Sequence, residues 1–387
     1  MNKAVQLALL ASLALPGVGC RGARGLPLVP PPAEPVGSGV LSPGWRVQLH
    51  PTAWQNLRPQ MFAQPVTDDL SGALYVGTSD GVFHALDMAT GGERWSYGPV
   101  GPIASQPLLM SFERRLYVGS EDGRLHCLNS RTGQKRWIFS SKGPIQAAPM
   151  EARVAGRALL FVTNADDHLY ALSPETGELV WEAQRERPDQ FTVQGHSGPL
   201  VVGDKVLVGF SGGFLAAYQA DSGKLAWETD LSDGRSQFVD IDTTPLLDPD
   251  GKTVYVSSAA TGVFAVAVDS GDVKWNVPTD GAGAITQEKE RLYVSAPGEL
   301  VILSRAGEVI KRASLGRSGD AGRSVIVGPY LMLPLADAGL AVLDKDSGQL
   351  LEFFDPGPGV TAPPAVSEGR LFALSNGGIL YQFAIAK

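Results

Sequence analysis

Short runs of Leu, Val, Tyr and Phe alternate with polar positions along almost the whole chain and are broken by Gly-containing pairs, as in RLYVGSEDGRLHCLNSRTG, LLFVTNADDHLYALSPETG and TVYVSSAATGVFAVAVDSG. A period of two interrupted by such pairs predicts strands joined by tight hairpins. No stretch after residue 20 sustains a helical period with caps, so the expectation is an all-β protein. The pattern also repeats: DGVFHALDMATGGERW at residues 80–95 returns 42 residues later as DGRLHCLNSRTGQKRW at 122–137. A fixed spacing of this size is the mark of stacked or radially arranged units.

The glycine of the T-G or S-G pair marks each copy, at Gly91, Gly133, Gly177, Gly223 and Gly271, with Trp95, Trp137, Trp181, Trp227 and Trp275 each four residues later. Two weaker copies follow at Gly307 and Gly348, where Lys311 and Glu352 replace the tryptophan. Glycine suits a turn that needs a positive φ, and Asp87, Asn129, Ser173 and Asp344, four residues ahead of their glycines, can bond back to the turn backbone.

A sheet of three or four short strands cannot bury both faces alone, and radial stacking of such sheets gives a propeller. Seven marker turns predict seven blades. An eighth unit, RLFALSNGGILYQFAIA at 370–386, stops before a marker of its own, and its missing outer strand is supplied by GWRVQL at 44–49. The predicted fold is an eight-bladed β-propeller of four-stranded antiparallel blades, closed by an N-terminal strand completing the last blade, at roughly 43 residues per blade.

Residues 1–19 carry Lys3, a short apolar run and then small residues, and predict a secretory signal peptide. Gly17-Val18-Gly19-Cys20 resembles a bacterial lipobox with glycine in the usual leucine position, which makes Cys20 the expected lipidation site. A plain secreted chain with an incidental cysteine is the alternative. Residues 20–43, rich in Pro and Gly, suit a flexible tether, leaving 44–387 for the propeller. Cys127 is then an unpaired thiol in a strand.

With 32 Lys and Arg against 40 Asp and Glu the net charge is −8. No basic run or aromatic-basic interleaving is present, which disfavours nucleic acid. His84 and His126 lie seven residues before their marker glycines whereas His168 lies nine before Gly177, so the three do not form a register-matched metal ring and read as strand-face residues. GFSGG and GAGAIT have no following helix to offer a phosphate its N-terminal amides.

ALDMATGGERW at 85–95 resembles the A-x-D-x-x-T-G-x-x-x-W signature of the PQQ-type propeller repeat, shared by quinoprotein dehydrogenases and non-enzymatic relatives. The resemblance implies that Trp95, Trp137, Trp181, Trp227 and Trp275 pack between blades. The enzymes of that group also need a calcium site, an aspartate base and often a disulfide of adjacent cysteines. A lone Cys127 excludes that disulfide, and no C-x-x-C-H haem site is present. The expectation is a protein without cofactor, metal or catalytic residues.

Two inter-blade connections depart from the others, QRERPDQFTVQGHSGP at 184–199 and LSDGRSQFVDIDTTP at 231–245. Together with the signal, the lipobox and the eight repeats, their S-x-P and D-I-D-T-T-P elements resemble the BamB family, lipoproteins of the outer-membrane β-barrel assembly (BAM) machinery. In that family the two connections bind the periplasmic POTRA domains of BamA. Carried over by motif position, this implicates Phe191, Val193, Gln194, Asp240 and Asp242. The family's first loop has leucine, leucine and arginine where this chain has Phe191, Val193 and Gln194, so a basic group is missing, and Arg235 is a candidate to supply it. The resemblance implies a lipid-anchored scaffold at the periplasmic face of the outer membrane, with neither nucleic acid nor small-molecule substrate. Three alternatives stay open: Asp240 and Asp242 as caps of the turn before Pro245, a propeller that binds another envelope protein or polysaccharide, and a quinoprotein dehydrogenase.

Overall fold

The computed structural model describes residues 36–37, 39–50, 60–98, 100–186, 197–317 and 319–386. The expected signal peptide, Cys20 and the first-loop residues Phe191, Val193 and Gln194 lie outside the described residues.

Eight antiparallel sheets form eight blades. Blade 1 is built from Val66–Asp68, Ala73–Gly77, Phe83–Asp87 and Glu93–Tyr97, and blades 2 to 7 repeat that order along the chain. Blade 8 takes three strands from the C-terminal end, Ala365–Ser367, Arg370–Leu374 and Ile379–Ile385, and its outermost strand, Leu41–Gln48, from the N-terminal end. The closing strand thus starts three residues before the expected boundary at 44, and Val36–Gly37 adds a short fifth strand to blade 7 by pairing with Phe353 and Glu352. The Pro- and Gly-rich composition of this stretch masked its pairing, because an outermost strand needs backbone hydrogen bonds more than alternating side chains.

Burial follows position in the blade. The second and third strands are buried on both faces, as in Ala73–Gly77 and His168–Leu172, whereas outer strands such as Glu93–Tyr97 are largely exposed. First strands of neighbouring blades touch one another, which places them around the axis. Eight apolar clusters hold the ring together, one between each pair of adjacent blades. Leu74 and Val76 pack against Phe372 of blade 8, while Tyr75 and Ala85 pack against Leu116 and Val118 of blade 2. Because both faces of each middle strand are apolar, a blade removed from the ring would expose two such surfaces.

The marker glycines are required twice over. Gly91, Gly133, Gly177, Gly223 and Gly271 have φ between 70° and 78°. A Cβ at Gly133 would also stand 2.6 Å from Trp95 Cε3, and one at Gly177 would stand 2.5 Å from Trp137 Cε3. Each tryptophan lies on the turn of the following blade and donates its indole N–H there: Trp95 to Ser130 O at 3.1 Å, Trp137 to Pro174 O at 3.0 Å, Trp181 to Ala220 O at 3.0 Å, Trp227 to Val268 O at 2.9 Å and Trp275 to Arg305 O at 3.1 Å. A register shift just before each Trp, as between Ala85 and Leu86, turns the side chain toward that neighbour.

Trp45, on the closing strand, makes the same contact with blade 1, through Met88 O at 3.1 Å and against Gly91. In blade 7 the tryptophan position holds Glu352, which is 1% exposed and accepts the backbone N–H groups of Val40, at 2.5 Å, and Leu41, at 3.1 Å. The motif fades there because this blade must grip an incoming chain end rather than a neighbouring turn.

Candidate partner-binding rim

Connections between blades open on the same rim as the turns between second and third strands. Several share one path. Gly101-Pro102-Ile103-Ala104-Ser105-Gln106-Pro107 and Gly143-Pro144-Ile145-Gln146-Ala147-Ala148-Pro149 correspond to Val239-Asp240-Ile241-Asp242-Thr243-Thr244-Pro245. The isoleucine is the common anchor: a Cβ on Gly77, Gly119 or Gly209 would stand 2.3, 2.4 or 2.4 Å from Ile103, Ile145 or Ile241 respectively. Asp240 and Asp242 are therefore carboxylates placed on a backbone path that elsewhere carries Pro102 or Pro144 and Ala104 or Gln146.

The two aspartates differ. Asp240 is 5% exposed, and its Oδ1 accepts the N–H of Gly212 at 3.3 Å, so it reaches the adjoining turn of blade 4. It is therefore a buried carboxylate tied to the Ser211-Gly212-Gly213 turn rather than an exposed loop group. Asp242 is half-buried. The surrounding protein, and then the neighbouring Asp240 carboxylate, push its carboxyl up to about 8.

The connection itself is braced. Leu231 N donates to Gly213 O at 2.8 Å, Arg235 Nη1 donates to Ala260 O at 2.5 Å, and Thr243 Oγ1 accepts Ser257 N at 3.2 Å. Ala260 N returns a bond to Phe238 O at 3.0 Å. These bonds hold Phe238 at φ 58° with half its surface, 52%, exposed. A left-handed backbone is unusual for an aromatic residue and persists only where neighbours over-determine it. Sequence reasoning passed over Phe238 because neither its backbone angle nor its exposure leaves a signal in SQFVDID. Arg235, the candidate basic group, is engaged with a backbone carbonyl of the same rim, that of Ala260. The end of the first connection meets the second, where Gly198 N donates to Thr244 Oγ1 at 3.0 Å.

Elsewhere the titratable groups serve the fold. His84 Nδ1 lies 2.9 Å from Glu93, His168 Nδ1 lies 2.7 Å from Glu182, and His126 Nδ1 lies 3.2 Å from Tyr97 Oη. His126 pairs across its strands as Tyr170 does, so His168 is displaced by one pleat. Cys127 is buried between blades 2 and 3, and burial pushes its thiol up to about 12. An open groove of about 510 Å³ lies at the opposite rim between blades 5 and 6, where Arg305 already pairs with Asp248 and Glu290. Among the described residues no cluster of three or more His, Cys, Asp or Glu could hold a metal ion.

Fold and rim together define the class: an eight-bladed propeller of the PQQ-like repeat, with a braced, acidic and partly aromatic connection between blades 4 and 5. The fold alone is shared widely. The structure of BamB from Moraxella catarrhalis superposes with a TM-score of 0.75 at 19% identity, covering 89% of this chain and 100% of that one. Quinohemoprotein alcohol dehydrogenase from Comamonas testosteroni does so with 0.69 at 17% identity, covering 89% and 76%. Sequence resolves the matter: the profile of outer membrane protein assembly factor BamB matches residues 109–313, and the chain belongs to that family. A curated BamB from Legionella pneumophila (strain Paris) is 26% identical over 203 residues, 51% of this chain and 52% of its own length. The chain thus spans about half the length of that relative in the matched region. The family is named for an assembly factor rather than for an enzyme.

Proposed function

We propose that this protein is a non-enzymatic scaffold of the outer-membrane protein assembly machinery, which binds the POTRA domains of BamA through the rim between blades 3 and 5. The observation that carries the reading is the Asp240-Ile241-Asp242 step: on the backbone path that elsewhere reads Gly-Pro-Ile, this connection carries two carboxyl groups, two and four residues after the exposed, left-handed Phe238. Such a surface suits recognition, since an aromatic anchor supplies apolar contact and a carboxyl group accepts charged hydrogen bonds from a basic or amide partner. The division of labour is unequal. Asp240 shapes the adjoining turn, whereas Asp242 and Phe238 are the groups available to a partner, and Phe191, Val193 and Gln194 are proposed to contribute from the first connection on the strength of the motif alone.

The raised pKa of Asp242 adds a condition. A basic partner group would draw the proton from it, so association should release a proton near neutral pH. In this proposal Cys20, freed by removal of residues 1–19, carries the lipid that holds the ring at the periplasmic face of the outer membrane, and the tether expected over 20–43 is confined to the residues before Val36, where pairing with blade 7 begins. Affinity purification from detergent-solubilised envelopes tests the reading: BamA should be recovered with the wild-type chain. Recovery of a different envelope protein, with no BamA, would overturn it.

A further inference from the structure

Arg323 lies in the connection that enters the first strand of blade 7, Val325–Val327. Its Nη2 donates to Gln64 Oε1 at 2.5 Å and to Gln106 Oε1 at 3.2 Å. Gln64 and Gln106 occupy the same place before the first strands of blades 1 and 2, and each is followed by proline. Blade 8 stands between blades 7 and 1, so a side chain that joins blade 7 to blades 1 and 2 must do so across the axis. Arg323 therefore lies over the mouth of the central channel, on the rim that also carries Asp240 and Asp242. Gln64 Nε2 donates to Pro364 O at 3.3 Å, which turns its oxygen toward the guanidinium. At the equivalent positions of blades 3, 4 and 5 stand Ala148, Gly198 and Thr244, so the facing side of the mouth is lined by small side chains.

The charge at this place has no acidic partner among the described residues. A guanidinium has five N–H donors, and the two glutamines take two of them. Arg94, Arg115 and Arg305 each pair with an acid, but among the described residues no carboxylate lies within ion-pair distance of Arg323. The encircling blades desolvate it, which lowers its pKa, yet the side chain remains accessible. A cation held in a channel wall by neutral amides, with donors to spare and small residues opposite, is suited to an anion that supplies both charge and acceptors.

We infer that the channel mouth is an oxyanion site in which Arg323 binds one carboxylate or phosphate group, with Gln64 and Gln106 as positioning residues. The experiment titrates the full detergent-solubilised chain with sodium phosphate and, separately, sodium acetate at ionic strength matched with sodium chloride. Calorimetry and the ¹⁵N resonance of Arg323 Nε are followed. Saturable binding and a shifted Nε resonance are expected in the wild type. Arg323→Gln should weaken binding by about tenfold or more and Arg323→Lys by less, since the lost bonds are charge-assisted. Tighter phosphate identifies a phosphate group as the natural occupant, and acetate of equal or greater affinity identifies a carboxylate. Absence of saturation by either anion with an unmoved Nε resonance, or an affinity unchanged in Arg323→Gln, would overturn the site. Should Arg323→Gln fail to fold, the wild-type resonance titration alone decides.

Discussion

Replacing Gly133 with alanine separates the two demands placed on a marker glycine. Gly203, in the first hairpin of blade 4, provides the reference: its φ is 62° and a Cβ there meets nothing within 4 Å. Gly203→Ala therefore adds only the strain of a left-handed alanine, about 1–2 kcal/mol. At Gly133 φ is 70°, so the strain is alike, but the new Cβ falls 2.6 Å from Trp95 Cε3 and 2.8 Å from Trp95 Cδ2. Pushing an indole out of its seat between blades adds overpacking of about 1–3 kcal/mol, for a total of roughly 2–5 kcal/mol. A ring of this size has an unfolding entropy near 0.7 kcal/mol/K, so each kcal/mol lowers the melting temperature by about 1.5 °C. Calorimetry at a single scan rate should thus find Gly203→Ala about 1.5–3 °C below wild type and Gly133→Ala about 3–7 °C below. Adding Trp95→Ala to Gly133→Ala should cost less than Trp95→Ala does alone in the glycine background, because the clash is then gone. If Gly133→Ala melts no lower than Gly203→Ala, the tryptophan does not press on that turn and the blade contact is wrongly described.

Trp137→Ala should lower stability by about 3–5 kcal/mol, since the residue is 9% exposed and spans blades 2 and 3; a wild-type melting temperature would contradict that packing. Glu352→Ala should loosen the chain end, with faster hydrogen exchange at the amides of Val40 and Leu41 and a loss of about 2–3 kcal/mol, and unchanged exchange there would show that the carboxylate is not their acceptor. The carboxyl of Asp242 is raised from 3.8 to about 8, so between those values the folded chain holds a proton that the unfolded chain has released, and stability falls as pH rises through that window. Asp242→Asn should accordingly raise the melting temperature at pH 8 and leave it nearly unchanged at about pH 4. A difference independent of pH would show that Asp242 titrates normally.

Much of the architecture is legible because the contact that builds the ring is local and repeated. The turns marked by Gly91, Gly133, Gly177, Gly223 and Gly271 each receive an indole, so glycine and tryptophan recur at fixed separation and the blades can be counted from them, whereas the Gly348 turn meets Ala313 instead. The ends were harder to read. Trp45 makes the same contact but has no marker glycine before it, and Glu352 stands where a tryptophan was missed, although it does the work of joining the N-terminal segment to blade 7. At the rim, Asp240 and Asp242 were visible as a motif, but their unequal burial goes with Asp240 meeting the distant Ser211-Gly212-Gly213 turn, which no local pattern reports. Phe238 and Arg323 are invisible for a related reason. One owes its character to a backbone angle, and the other to a meeting of residues more than two hundred positions apart across the axis.

Affinity of the purified BamA POTRA domains for this chain, compared between wild type and the Phe238→Ala/Asp242→Ala double variant, tests the proposed recognition most directly. Loss of an aromatic anchor and a charged acceptor at a desolvated interface should weaken binding by about tenfold to a thousandfold without lowering the melting temperature. A wild-type chain that does not bind the domains, or a double variant that binds them as tightly, would contradict the assignment of this rim.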